Sequence, residues 1–453
     1  MAMQGESRNE TNMSFRINRY AAQFIVLLPT RAMRNSWVSV CIFLLAILFA
    51  GDAMAQSTVN QKMPRSGGQY PASTAKANIS PEFQRVVDQA TKAREANQIG
   101  EAIDLYQKAV KLNPRWNEGW WYLGTLYYDS DRYQEGVTAF HNLVELTPEY
   151  GAAWAMLGLC EFEIQDYKNA LIHLENGRAK GVVDNQELLY AARYHQALID
   201  ILEGNFEDAF SLLSSLVTQN VLSNDVRRSM GLTLLRVQLL PNQVDPSKDA
   251  LVAAAGDIGE LQALGDFDEA KRGFGQLVHD YPSTPFVHYA YGVMLAELSQ
   301  YKDSEQQLLE EIRVNPDSSM PYMQLAYVYI RVNRFNDALS MGRKAVQLVP
   351  GSFAAHYLVG RSLLETGGVN ESIQELNIAK RLAPYSPEVR YSLARALARA
   401  HRTQEAALEQ AEFKRLNARV EQSKQKLPPQ SYRESSERGG TTPKQPPDGG
   451  PPQ

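Results

Sequence analysis

Prolines stand at positions 282, 316, 350 and 384, each 34 residues after the last. A fixed period of that length is the spacing of a helix–turn–helix repeat, and a repeat array constrains the fold more than any composition can. Numbering each unit 1 to 34 so that the proline falls at position 32 gives units starting at Pro285, Ser319, Phe353 and Pro387 in strict frame. Position 8 is then Gly292, Ala326, Gly360 and Ala394, and position 20 is Ser304, Ala338, Ser372 and Ala406. Small residues at both places let two helices approach closely. Aromatics at positions 4, 11, 17 and 24 are expected to fill the space between hairpins, and the proline ends the second helix. Turn-forming residues recur at positions 15 to 18: Asn97-Gln98, Asp129-Ser130-Asp131, Gly204-Asn205, Gly265-Asp266, Asn333-Arg334 and Gly367-Gly368.

The same register holds upstream. Unit Asn117–Tyr150 carries Trp120, Leu123, Gly124, Tyr127, Gly136, Phe140, Leu143 and Pro148. These residues resemble the tetratricopeptide repeat pattern, W-x2-L-G-x2-Y in the first helix and A-x3-F in the second. Phe83 to Pro114 and Trp154 to Gly177 follow it, the latter with Val182 in place of the closing proline. Tyr190–Leu216 is a further unit and Leu251 begins a weaker one closing on Pro282. The resemblance implies an all-α, tetratricopeptide-like solenoid of helical hairpins in a right-handed superhelix, about nine repeats over residues 83–420.

From Pro148 to Pro282 is 134 residues, two short of four periods. Asn224–Leu240 reads as one additional amphipathic helix, and Pro241 and Asp245-Pro246 mark a break. The expected division is an N-terminal array over 81–222, an irregular insert over 223–250 and a C-terminal array over 251–420. Residues 421–453 hold the end of a capping helix running to about Lys426, then a Pro-rich tail, expected disordered, with seven prolines from Leu427 on.

Ahead of the arrays, Trp37–Ala50 is fourteen residues without a charge, preceded by Arg31 and Arg34 and followed by Ala53-Met54-Ala55. That is too short for the roughly 20 residues that span a bilayer. It reads as a secretory signal peptide within 1–55, cleaved after Ala55, with 56–80 a flexible linker. The expected setting is export, to a bacterial periplasm or beyond, without stable membrane insertion. Cys41 falls in the leader, so Cys160 is the only thiol expected in the mature chain, and its apolar surroundings suit a structural residue. A formal net charge of −5 argues against a nucleic-acid partner.

No nucleophile elbow, phosphate loop, zinc-protease or haem motif is present, and the seven histidines are scattered without an i, i+4 pair. No catalytic residue, metal or cofactor is therefore expected, and binding remains. In tetratricopeptide proteins the first helix of each unit lines a concave groove through positions 2, 5, 9, 12 and 13. On this chain that implies Trp121, Tyr128 and Phe162 in the N-terminal groove. In the C-terminal groove it implies Tyr289, Met323, Tyr327, Arg331, Tyr357, Arg361, Tyr391 and Arg395. Aromatic and Met side chains with arginines suit a protein or peptide segment bearing carboxylates. The expected function is an exported, non-enzymatic scaffold for assembly in the cell envelope. The alternative is an accessory protein of polysaccharide export, stacking sugars on rings such as Trp121 and Tyr128.

Overall fold

The computed structural model describes residues 80–182 and 185–426. The leader with its signal peptide, nearly all of the linker and the Pro-rich tail lie outside the described residues. Among the described residues there are nineteen α-helices and no strand. The hairpins of the N-terminal array are α1 (Pro81–Glu95) with α2 (Ile99–Leu112), α3 (Asn117–Asp129) with α4 (Tyr133–Leu146), α5 (Gly151–Glu163) with α6 (Tyr167–Lys180), and α7 (Gln186–Glu203) with α8 (Phe206–Val217). Then come α9 (Asn224–Leu234), two short 3-10 turns, α10 (Asp249–Leu264) and α11 (Phe267–Asp280). The C-terminal hairpins are α12 (Val287–Glu297) with α13 (Tyr301–Val314), α14 (Ser319–Arg331) with α15 (Phe335–Leu348), α16 (Phe353–Thr366) with α17 (Val369–Leu382), and α18 (Pro387–Arg399) with α19 (Thr403–Lys426). The array opens as its sequence dictates: Ser80 Oγ accepts the Phe83 N–H at 3.1 Å and Pro81 occupies the first turn, where its missing N–H costs nothing.

The turn residues act by one device. Asn97, Asp131, Gly204, Gly265, Asn333 and Gly367 all have positive φ. The residue after each donates its N–H five positions back, as Arg132 does to the Tyr127 carbonyl at 2.9 Å and Arg334 to Tyr329 at 2.8 Å. A left-handed residue followed by such a bond closes a helix and reverses the chain. Within each hairpin the small positions meet. A Cβ added at Gly158 would lie 2.7 Å from Leu174 Cγ and 3.0 Å from the Ala170 carbonyl. Position 20 does more than stay small: the Ser304 and Ser372 hydroxyls donate to the carbonyls of Gly292 and Gly360, each at 2.6 Å, bridging buried backbone.

Position 4 adds a hydrogen bond to its expected space-filling role, since Trp120 and Trp154 pack against the core and Tyr322 is buried in it. Trp120 Nε1 donates to the Pro114 carbonyl at 2.9 Å and Trp154 Nε1 to Pro148 at 2.8 Å. His288 Nε2, Tyr322 Oη, His356 Nε2 and Arg390 Nη2 meet the carbonyls of Pro282, Pro316, Pro350 and Pro384 in the same way, at 3.2, 3.2, 2.9 and 2.9 Å. The proline ends one helix, and the next unit's fourth residue satisfies the carbonyl left behind.

Residues 223–250 are packed into the array. Helix α9 ends at Leu234, short of the expected Leu240, because Arg236 turns left-handed at φ +55° and the Val237 N–H bonds back to the Leu232 carbonyl at 3.0 Å. Val226, Met230, Leu232, Leu235 and Val244 join a core that runs from Ala90 to Leu295. Helices α9 and α10 touch backbone to backbone: a Cβ at Gly231 would overlap the Val252 carbonyl oxygen, and one at Gly256 would meet the Arg227 carbonyl. On another side, α10 packs Ile258 against α11, 2.8 Å from where a Gly273 Cβ would stand. Helix α10 is thus second partner to α9 and first helix to α11. The core changes over along α12, where Val287, Ala290, Tyr291, Met294 and Leu295 belong to the first cluster and Tyr289 and Ala296 to a second.

Candidate functional site

The first helices of the C-terminal hairpins present a run of side chains at equivalent positions, Tyr289, Met323 and Tyr357 at position 5 and Tyr327 and Arg361 at position 9. Met323, Tyr327 and Tyr357 come together with Tyr289 around a cavity of about 470 Å³. Met320, Gln324, Phe353, Ala354, Leu358, Ser386, Glu388 and Val389 complete that wall, and Glu207 of α8 reaches in from the N-terminal array. Phe353 is 44% exposed and Tyr327 37% exposed, large apolar surface left open to water. Tyr289 is more deeply set: burial pushes its hydroxyl up to about 12 against the opposing pull of Arg236.

The three groove arginines differ in state. Arg395 pairs with Glu365 at 2.9 Å and lies 6.0 Å from the Tyr391 ring, and Arg399 reaches the same carboxylate at 3.1 Å. Burial raises the Glu365 carboxyl, but the two guanidiniums prevail and hold it below its usual value. Arg331 donates to the Tyr301 hydroxyl at 3.1 Å, and Arg361 approaches the Tyr357 hydroxyl at 3.4 Å. Among the described residues neither of these two is paired with a carboxylate. Tyr391 packs on Phe413 of α19, ring centroids 5.3 Å apart, beyond the cavity.

The N-terminal residues are placed differently. Trp121 is 2% exposed, its indole edge-on to Phe140 at 5.9 Å and to Tyr150 at 5.5 Å, which makes it core rather than groove lining. Position 5 here faces an aromatic second helix and an aromatic next unit, and an indole is large enough to fill the gap between them. Phe162 is also buried, packed on Tyr167 and His195. Tyr128 is half-buried against Tyr133 at 5.5 Å, and burial, with Glu163 and other negative neighbours, drives its hydroxyl well above the usual range. Cys160 is buried in α5, and burial pushes its thiol up.

Met320, Ala354 and Glu388 all occupy position 2 of their units, so the repeat frame contains the signal for them. Glu207 carries no such signal, because it enters from α8 of the N-terminal array, outside the frame of the C-terminal units. Among the described residues no group of three or more His, Cys, Asp and Glu could hold a metal ion. No described helix is long and apolar enough to cross a membrane.

The fold is an α-solenoid of stacked hairpins, with an open, largely apolar cavity on the first helices of its C-terminal units. The family model for the tetratricopeptide repeat matches residues 87–135, 123–177, 260–319 and 323–387, so the hairpins within those residues are tetratricopeptide repeats. The matches leave out 178–259, the stretch in which α9 is added. No curated protein matches the chain. Among solved structures, MamA from Desulfovibrio magneticus RS-1 is 19% identical over 36% of this chain and 93% of its own, with a TM-score of 0.35. YrrB, described as a TPR protein with an unusual peptide-binding site, is 15% identical over 38% of this chain and 88% of its own, with a TM-score of 0.33. Yeast Tom70 is 14% identical over 74% of this chain and 85% of its own, with a TM-score of 0.32.

Proposed function

We propose that this chain is a non-enzymatic scaffold that holds a segment of a partner protein in the concave groove of α12, α14, α16 and α18. One observation carries the reading: an open cavity of about 470 Å³, lined by Met320, Met323, Tyr327, Phe353 and Tyr357, with Arg331 and Arg361 close by. Methionines adapt to an irregular apolar anchor, tyrosines offer surface at low entropic cost, and the arginines give a carboxylate a fork to bind. The segment that fits is extended or helical, with a bulky apolar residue and an acidic neighbour. Neither a nucleic acid nor a cofactor is invoked.

The apolar run Trp37–Ala50 and the small residues before Gln56 support a partner in the cell envelope. N-terminal sequencing of the mature protein should begin at Gln56, and a full-length chain held in membranes would overturn the export reading. A groove for polysaccharide is less favoured, because Trp121, a ring named for stacking on sugars, is buried. The deciding experiment is affinity capture from envelope extracts with the wild type and with Tyr357→Ala plus Arg361→Ala. Loss of a defined protein partner in the double variant supports the scaffold. Equal capture sinks the groove assignment, and retention on a glycan array without a protein partner would favour the polysaccharide reading.

A further inference from the structure

Arg236 is the first left-handed residue after α9, at φ +55°. Its guanidinium Nη2 lies 2.5 Å from Glu207 Oε1, while its Cζ stands 5.2 Å from the Phe206 ring and 5.2 Å from the Tyr289 ring. The side chain is only 10% exposed. Phe206 and Glu207 open α8, and Tyr289 sits in α12, so one side chain joins two helices between which α9, α10 and α11 intervene in the chain. The strand of chain that carries it is itself tied down, Gln238 Nε2 donating to the Leu202 carbonyl at 3.1 Å. Tyr289 belongs to the second core cluster and Phe206 to the first. Glu207 and Tyr289 also both line the groove cavity.

We propose that Arg236 is a clasp that sets the opening of the groove by tying α8 to α12 across the core changeover. A planar guanidinium can lie against two rings and still fork onto a carboxylate, which an ammonium cannot do. The clasp has a second effect, which rests on the reading of the groove as a ligand site: it neutralises Glu207, the one acidic side chain that the N-terminal array brings to the cavity wall. With the clasp closed, an acidic segment approaching Arg331 and Arg361 meets Glu207 already paired, and Glu388, held by the Ser386 hydroxyl at 2.8 Å, is the other carboxylate on that wall. Arg236 is therefore a positioning residue for the groove, reached from the added helix rather than from the repeats.

The test is a spin-label distance measurement on the full chain carrying Cys41→Ser, with labels at Ser211→Cys on α8 and Lys344→Cys on α15, both exposed. The parent should give one narrow distribution. Arg236→Ala should shift it to longer distances and broaden it, with helicity by circular dichroism unchanged. Arg236→Lys should restore it only in part. Raising the salt concentration should widen the parent distribution and leave Glu207→Gln unmoved, a response that a purely packing role for Arg236 would not produce. If Arg236→Ala fails to fold, Glu207→Gln and Tyr289→Leu take its place. Distances unchanged in the folded variants would overturn the clasp. A shifted distance alongside unchanged partner capture by Tyr357→Ala plus Arg361→Ala would leave the clasp standing and remove the groove reading.

Discussion

The contact between α9 and α10 makes a sharp prediction about two glycines. In Gly231→Ala the new Cβ overlaps the Val252 carbonyl oxygen and lies 3.0 Å from the Gly256 nitrogen. Both neighbours are backbone of a well-formed helix, so neither can swing aside as a side chain would. A carbon and a carbonyl oxygen rest at about 3.3 Å or more, so the helices must part by something on the order of 1 Å. That separation loosens the packing of Val226, Met230, Leu232, Val252 and Ala255, all buried. Overpacking of this kind costs about 3 kcal/mol at the upper end of its usual range, and the helix propensity gained by alanine offsets about 1 kcal/mol. The net expectation is a loss of about 2 kcal/mol. Gly275→Ala in α11 is the control, because nothing lies within 4 Å of its added Cβ. There the propensity term stands alone and should stabilise by about 0.5–1 kcal/mol. Urea unfolding followed by far-ultraviolet circular dichroism should move the two midpoints in opposite directions. A Gly231→Ala midpoint that rises with that of Gly275→Ala would refute the backbone contact.

Two further outcomes follow from polar groups, one buried in α7 and one at a unit boundary. Asp200 of α7 is 5% exposed, its Oδ2 has no hydrogen-bond partner, and burial pushes its carboxyl up to about 6. A native carboxyl raised above the unfolded value of about 3.9 keeps its proton longer in the fold, so stability falls as pH climbs from about 4 to 6 and stays lower beyond, by about 1–3 kcal/mol. Asp200→Asn should therefore raise the thermal midpoint at pH 7.5 and barely change it at pH 4, and an equal shift at both would exclude that origin. Trp154→Phe keeps an aromatic ring, though a smaller one, and removes the 2.8 Å bond to the Pro148 carbonyl. It should cost about 1 kcal/mol in a denaturant titration, and no change would mean that water replaces the indole.

Regular parts of the fold were legible wherever one residue type has one physical use. Proline at 32, glycine or asparagine in the turns and the N-cap Ser80 each determine a backbone state, and the helices form where they indicate. Position 4 was visible as packing, but its second use was not. Trp120, Trp154, His288, Tyr322, His356 and Arg390 share a donor rather than a shape, and only the open proline carbonyl reveals why. The candidate groove was half legible, since Tyr289, Met323, Tyr327 and Tyr357 line one cavity with the position-2 residues beside them. Trp121 and Glu207 escaped the frame for opposite reasons. The first is captured by Phe140 and Tyr150 within its own stack, and the second arrives through contacts that no 34-residue period encodes.

Helix α10 carries a consequence for how such a chain can change length. A stack of hairpins is a lattice in one dimension, and whole units can be added or removed without disturbing the order on either side. A single extra helix is half a lattice step, a dislocation that some element must absorb. Helix α10 absorbs it by serving two neighbours, with Gly256 and Gly259 toward α9 and Ile258 toward α11. The fit of α9 on α10 is backbone against backbone, at Gly231 on Val252 and at Gly256 on Arg227, and that fit pins the fault where it stands. Duplication of a hairpin could lengthen either arm, while the fault stays tied to the close approach of Gly231 to Val252 and of Gly256 to Arg227.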